Sequence, residues 1–503
     1  MKKKVNAIIF DVIIILLILG VAIFLVAYKG YDWKEFAILF LAIYLIDFIF
    51  IFYMLIKEDE LHEKFVWVFF LVLFPIIAHI IFALFRIRRE PGISRSRYEA
   101  ELSKINDHEN ENQKNTSNLV INDFEKQQVK LIKRNFYWSN VDLYFHGFEA
   151  YEQIFKDLEN ATKYIHIQMY IIKKSEIFEK FKDILIKKAQ SGVEVKIILD
   201  SFGSWLVRFK EIKHLIENNV QVLMFNKTIY PIVRPTDNNR LHRKFFIIDG
   251  KIVHAGGLNI SDEYGSYSED YGYWADLNFK LVGPIVNDYE RLFLYDWIKI
   301  SGEKIDFSDY KYDHEIEVNK NDFPERLLLL DEGPGNEGSL LENALLNWIY
   351  NTKTSIKIST PYFIPTKQIF NAFLNALKKG VDVEFYIPGK PDKKIIYYGT
   401  YFYLKKLLDY GAKVYIINDI FLHSKLAIFD NEFAYIGTNN LDMRSFYTNY
   451  ELINIIQGEK TIARMNIIFD QYKIRSKQLF YWNESKFKAN IKKIIYEVFA
   501  PLM

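Results

Sequence analysis

A histidine stands two residues before a lysine twice in this chain, and each time the same residue types follow at the same distances. The first stretch, LHRKFFIIDGKIVHAGGLNISDEY, contains His242, Lys244, Asp249, Gly256, Gly257 and Asn259. The second, LHSKLAIFDNEFAYIGTNNLDMRS, contains His423, Lys425, Asp430, Gly437, Thr438 and Asn440. In extended backbone, residues i and i+2 face the same way, so each imidazole shares a surface with an ammonium. The small residues at 256, 257, 437 and 438 let backbone approach a ligand closely, and each asparagine adds an amide donor. A single His-x-Lys-x4-Asp arises by chance at roughly the five per cent level in a chain of ordinary composition. Two, each with the same followers, mark a duplicated unit.

The chemistry this set suits is phosphodiester transfer. One neutral histidine attacks phosphorus while the other, protonated, gives its proton to the departing alkoxide. The second histidine then takes a proton from an incoming alcohol, which displaces the phosphohistidine. The lysines and asparagines neutralise charge on the phosphate oxygens. The two histidines need opposite protonation, so their surroundings must push their pKa values apart, and a bell-shaped pH profile follows. The scheme requires no metal and no cofactor. Asp249 and Asp430 read equally as catalytic participants or as structural carboxylates. His62, His79, His108, His146, His166, His214, His254 and His314 lack such company and read as structural or surface residues.

The elements that must position these residues repeat as well. KYIHIQMYII (163–172), GVEVKIILD (192–200) and NNVQVLMF (218–225) precede the first stretch as strand candidates. SIKISTPYFIP (355–365), GVDVEFYIPG (380–389) and GAKVYII (411–417) precede the second. Helical stretches separate them, which predicts an α/β protein with helices on the faces of its sheet.

A chain of 503 residues holds roughly three units. The net charge of +2 argues against a general nucleic-acid binder. The absence of cysteine excludes disulfides, thiolate zinc sites, iron–sulfur clusters and a cysteine nucleophile. Three apolar runs crowd the N-terminus, at residues 12–28, 36–56 and 65–85, near the length of about 20 residues that spans a bilayer. Two further runs after the first make a cleaved signal peptide a poor reading. Asp11 and Asp47 are expected to face helix neighbours or the interface. Arg86, Arg88, Arg89, Arg95 and Arg97 place the downstream region in the cytoplasm, and Lys2, Lys3 and Lys4 favour a cytoplasmic N-terminus. Three crossings cannot satisfy both, and the larger cluster is given precedence. ELSKINDHENENQKNTSN (101–118) reads as a polar linker. The expected organisation is a transmembrane anchor of two or three helices at 1–90, a linker at 91–135, a first half at 136–310 and a second at 311–503.

The paired motifs resemble the HKD motifs of the phospholipase D superfamily, and the chain as a whole is similar to bacterial cardiolipin synthases. LDSFGS (199–204), TPYFIP (360–365), IPGKPDKKIIYYGT (387–400), GTNNLDMRSF (437–446), NYEL (449–452) and the PLM ending carry that likeness. The resemblance implies a phospholipase D-like fold: two similar mixed-sheet αβα halves related by a pseudo-two-fold, preceded by N-terminal transmembrane helices. It implies a multi-pass protein of the cell membrane that joins two phosphatidylglycerol molecules into cardiolipin and releases glycerol. His242 and His423 would be the catalytic pair, with His242 taken as nucleophile, and Lys244, Lys425, Asn259 and Asn440 would hold the phosphate. Asp276 (in YWAD) and Glu451 are candidates to orient an imidazole, or equally ordinary surface acids. The likeness implies two spans where the sequence offers three apolar runs. Phosphatidylglycerol and cardiolipin are the expected partners, with no nucleic acid and with protein partners left open. Trp205 and Tyr230 read either as core or as aromatics that dip into the bilayer interface. The alternatives are a phospholipase D-type lipid hydrolase or another phosphatidyltransferase, a nuclease of the same superfamily, and an inactive lipid-binding scaffold.

Overall fold

The runs read as strands pair into one mixed sheet built twice over. The structure, a computed structural model, describes residues 41, 44–52, 68, 71, 72, 74, 78, 79, 122–205, 207, 209–227, 238–267, 272–310, 325–334, 339–390 and 392–480. The chain divides into two units, residues 1–90 with 228–238, and residues 91–227 with 239–503.

In the larger unit the first half contributes β1 (Tyr137–Tyr144), β2 (Tyr164–Met169), β3 (Glu194–Asp200), β4 (Gln221–Phe225), β5 (Arg240–Leu241), β6 (Phe245–Ile248), β7 (Ile252–Gly256), β8 (Trp274–Ala275) and β9 (Asn278–Val282). The second contributes β10 (Glu325–Glu332), β11 (Ser355–Ser359), β12 (Phe363–Ile364), β13 (Asp382–Pro388), β14 (Lys413–Ile417), β15 (Phe421–Leu422), β16 (Leu426–Phe429), β17 (Phe433–Gly437), β18 (Leu441–Asp442), β19 (Asn449–Gln457) and β20 (Ser476–Leu479). Outward from the central antiparallel β1–β10 pair, one side runs β1-β9-β7-β6-β2-β3-β4 and the other β10-β19-β17-β16-β11-β13-β14, ending at β20. The sense of pairing matches at each step: β2-β3-β4 and β11-β13-β14 are parallel and the inner strands antiparallel.

Parallel neighbours need a crossover, supplied by the helices Glu176–Gln190 and Lys367–Lys378. Strands covered on both faces are buried throughout, and every residue of β2 is buried, its two polar residues paired with carboxylates, His166 with Glu290 at 2.6 Å and Gln168 with Asp296 at 2.7 Å. A core shared by both halves gathers Phe245, Tyr289, Trp297, Leu426, Leu452 and Phe469, so neither half closes its core alone.

The linker expected to run to residue 135 ends sooner. Asn122 caps a helix at Asp123–Ile132, accepting the Glu125 N–H at 2.8 Å while Glu125 Oε2 accepts the Asn122 N–H at 3.2 Å. Glu125 pairs with Arg326 at 2.6 Å, and Gln128 accepts the Trp348 indole N–H at 2.9 Å. The helix is polar overall because its buried face carries Glu125 and Gln128, which is why composition reads it as linker.

In the smaller unit residues 44–52 are helical, and buried Asp47 meets His79 Nε2 at 2.5 Å, a helix-neighbour contact for that acid. Most of the three apolar runs, Asp11, the Lys2–Lys4 and arginine clusters, residues 101–118, His62, His108, His314, Tyr230 and the PLM ending lie outside the described residues. Among the described residues no helix is long and apolar enough to cross a membrane.

Candidate active site

Each histidine motif is stitched to the other half of the sheet. β5 runs parallel to β19, and the His242 N–H donates to the Tyr450 carbonyl at 3.0 Å. β15 runs parallel to β8, and the His423 N–H donates to the Ala275 carbonyl at 2.8 Å. The exchange brings a carboxylate from the opposite half to each imidazole. Glu451 Oε2 lies 2.9 Å from His242 Nδ1, and Asp276 Oδ2 lies 2.6 Å from His423 Nδ1. Both acids are buried, so they are not surface residues. With Nδ1 held by a carboxylate, the tautomer and tilt of each ring are fixed; Nε2 of His242 is left for chemistry, and Nε2 of His423 lies 3.2 Å from Lys425 Nζ.

Glu451 is saturated with donors. Its oxygens also accept from Thr438 at 2.6 Å, Ser445 at 3.0 Å and Asn449 at 3.1 Å. Thr438 was expected to make room for a ligand, but its hydroxyl serves this acid. In the first half Gly257 does the equivalent by omission. A Cβ there would lie 2.1 Å from Asp276 Oδ1. The close approach permitted by the small residues is therefore to the histidine's partner.

The residues between histidine and lysine face the opposite way, as alternation requires. Arg243 donates to Asp296 at 2.8 Å and to the carbonyls of Glu332 and Glu451 at 3.0 and 3.2 Å, bridging the halves. Ser424 bonds Ser359 at 2.7 Å. Lys244 and Lys425 lie on the imidazole side, each ammonium donating to the carbonyl of its own histidine.

Burial governs the electrostatics. It lowers Lys244 to about 7 and Lys425 to about 8, against the pull of Glu451 and Asp276. Burial also lowers His242 to about 4, opposed by Glu451 and reinforced by Lys244 and by Lys425 of the other half. His423 is lowered by burial and Lys425, but Asp276 and Asp392 both raise it. Burial would raise Glu451, yet His242 and Lys244 outweigh it and hold the carboxyl at about 2. The charges of each half therefore act on the groups of the other.

The two asparagines are not equivalent. The Asn259 amide donates to the Tyr264 hydroxyl at 2.6 Å and its oxygen accepts the Ile171 N–H at 2.9 Å. Asn440 is buried with an unpartnered Oδ1. Five residues further on the first half has Tyr264 and the second Ser445, which accounts for the difference.

Sequence reasoning missed the aromatic walls. The Tyr170 ring stands edge-on to His242 at 4.8 Å, and Trp274 and Tyr264 lie 5.1 and 6.0 Å from His423. It also missed the role of Asp200 in LDSFGS, which accepts the N–H groups of Phe202, Gly203 and Leu241 at 2.8–2.9 Å and so fixes β5. Tyr170 ends a strand with the site at its tip, a signal available once the strand is placed.

Asp249 and Asp430 do not join the site. They sit beyond the far ends of β6 and β16 with φ of 53° and 52°. Asp249 accepts the N–H groups of Thr162, Lys163 and Tyr164, and Asp430 those of Lys353, Thr354 and Ser355, all within 2.7–3.0 Å by the shorter contact. Each pins the entry of a neighbouring strand, β2 or β11. The catalytic role weighed for them is replaced by a structural one. Asp430→Ala is therefore expected to destabilise by on the order of 2–3 kcal/mol, the cost of stranding several backbone donors, with kcat per folded molecule unchanged. Thermal melts beside active-site-normalised rates check this, and a kcat loss as large as that of His423→Ala would contradict it.

Of the other histidines, His166 and His254 are buried against carboxylates, at 2.6 Å from Glu290 and 2.7 Å from Asp157. His146 contacts Tyr273, and His214 lies in the helix Phe209–Glu217.

Two histidine–lysine pairs, each ring oriented from the opposite half of a duplicated mixed sheet, define the phospholipase D class of transferase. The comparisons agree with that class. A family described as "Cardiolipin synthase, PLD-like domain" matches residues 154–297 and 345–473. A cardiolipin synthase of Halalkalibacterium halodurans is 30% identical over 479 residues, 92% of each chain. One from a Geobacillus species is 37% identical over 306 residues, 61% of this chain and 60% of the relative. The major cardiolipin synthase of Bacillus subtilis is 32% identical over 375 residues, 73% of this chain and 76% of the relative. Phosphatidylserine synthase of Haemophilus influenzae shares the fold, with a TM-score of 0.57 and 16% identity over 76% of this chain and all of that one. The chain belongs to the cardiolipin synthase family.

Proposed function

We propose that this chain joins two phosphatidylglycerol molecules into cardiolipin and glycerol through a phosphohistidine on His242. The observation that carries the reading is the crossed pair of histidines, each oriented by a buried carboxylate of the opposite half. His242, held neutral, attacks phosphorus through Nε2. The bond from phosphorus to the glycerol headgroup breaks, and the alkoxide takes the His423 proton. A headgroup hydroxyl of the second phosphatidylglycerol gives its proton to His423 and attacks phosphorus. The N–P bond breaks, and both histidines return to their starting states. Lys244 and Lys425 neutralise the phosphate, whose negative charge in turn favours protonated His423. The side-chain amide N–H groups of Asn440 and Asn259 donate to the phosphate oxygens. The N-terminal apolar runs anchor the protein as a multi-pass membrane protein with its catalytic unit in the cytoplasm, which raises the effective concentration of lipid at the site.

Purified protein in phosphatidylglycerol vesicles is expected to release glycerol in step with cardiolipin. Release of glycerol with phosphatidic acid instead would identify a hydrolase.

The pH dependence follows from the free-enzyme values. kcat/KM falls below about pH 4 as His242 gains a proton, declines as pH rises through the lowered pKa of His423, the acid, and falls further above about pH 7 to 8 as Lys244 and Lys425 lose their protons. Bound phosphate stabilises both ammonium groups, so the alkaline fall in kcat comes at higher pH. Rates at subsaturating lipid from about pH 3 to 10 check this, and kcat/KM flat to pH 9 would refute it.

A further inference from the structure

We propose that two exposed apolar patches, one beside each histidine, seat the mouth of the site on an anionic phospholipid bilayer. The first patch is the loop after β3 and the start of the next helix, where Phe202, Trp205 and Phe209 are 53%, 72% and 80% exposed. The second is the start of the helix Lys394–Leu408, where Ile395 and Tyr398, three residues apart on one helical face, are exposed. The two follow equivalent parallel strands, β3 and β13, so the duplication sets both at the C-terminal end of the sheet.

Each patch is tied to its own half of the site. Ser204 donates to the Tyr170 carbonyl at 3.1 Å, and Tyr170 packs on His242. The Arg240 guanidinium lies over the Phe202 ring at 5.4 Å, two residues before that histidine. In the second half Tyr362 donates to Asp392, whose charge acts on His423 and Lys425, and Tyr397 donates to the Gly389 carbonyl at 3.1 Å. Neither loop can shift far without disturbing the catalytic groups.

Large exposed apolar side chains scattered singly are ordinary, but a concentration at one end of the sheet marks a surface that meets another phase. Exposed lysines accompany these: Lys210 beside Phe209, and Lys390, Lys393 and Lys394 beside Ile395. Aromatic and aliphatic groups set among cations match a lipid interface with negative headgroups. The reading rests on the lipid-substrate assignment for the choice of bilayer over protein, and otherwise on exposure and placement.

The chain has no cysteine, so Trp205→Cys and Tyr398→Cys can each carry one environment-sensitive fluorophore. Lys251→Cys, in the turn next to Asp249 at the far end of β6, is the control. The full chain is placed in phosphatidylglycerol–phosphatidylcholine vesicles containing acyl-chain nitroxide lipids. Quenching at 205 and 398 is expected to exceed that at 251 by about twofold or more, and to weaken when phosphatidylglycerol is omitted. Quenching at 205 and 398 no greater than at 251 overturns the proposal, even if the vesicles release glycerol. Strong quenching at both sites without glycerol release upholds the surface and overturns the transfer assignment.

Discussion

His423→Ala retains its first chemical step on a phosphatidyl ester of p-nitrophenol, whereas His242→Ala loses transfer from every substrate. The difference follows from the two roles. A glycerol alkoxide needs a proton as it leaves, and a nitrophenolate does not, so an activated leaving group bypasses the missing acid. Nothing replaces the nucleophile. On phosphatidylglycerol both variants should lose about 10³-fold or more in kcat, because residues acting as one unit fail together. In His423→Ala the second alcohol also lacks its base, so a phosphatidylated protein should accumulate after a burst of nitrophenolate. Intact-protein mass spectrometry and peptide mapping would place the adduct on residue 242. An adduct on His423 in His242→Ala, or equal losses on the activated ester, would reverse or abolish the assignment.

The histidine–lysine pairs were legible because everything that identifies them is local. A spacing of two decides which side chains share a face, and the repeat certifies the spacing. The strands preceding each pair were legible for the same reason: β2, β3 and β4 fall within the runs at 163–172, 192–200 and 218–225. The strands that join the halves were not. β1, YWSNVDLY, mixes polar and apolar residues because its neighbours are β9 and β10, and nothing in its own sequence names either. Asp249 and Asp430 show the converse failure. A repeated carboxylate at fixed distance from a repeated histidine looks chemical, yet the same spacing follows from a repeated strand length with a capped turn at its end. The site residues hardest to read were the aromatics, since Tyr170 reaches His242 only through the β2–β6 pairing.

Glu451→Gln and Asp276→Asn test the crossing of the halves, which local sequence could only suggest because the partners are 209 and 147 residues from their histidines. The amide keeps the shape but not the charge, and it turns an acceptor into a group that can donate to Nδ1. The ring then presents the wrong tautomer, a change worth about 10²–10⁴-fold in kcat where a buried carboxylate serves a catalytic histidine. The two variants should differ in what rescues them. Without Asp276, burial and Lys425 lower His423 with less opposition, so the acid weakens and an activated nitrophenyl ester recovers much of the first step. Without Glu451 the nucleophile itself is misoriented, and the activated ester gives little relief. Thr438, Ser445 and Asn449 still surround residue 451, so the glutamine variant should keep a cooperative melt, and the defect should lie in kcat rather than in the folded fraction. Wild-type kcat in Glu451→Gln would mean that the carboxylate only fastens the two halves together. Rescue of both variants alike would mean that the halves do not divide the roles of attack and protonation between them.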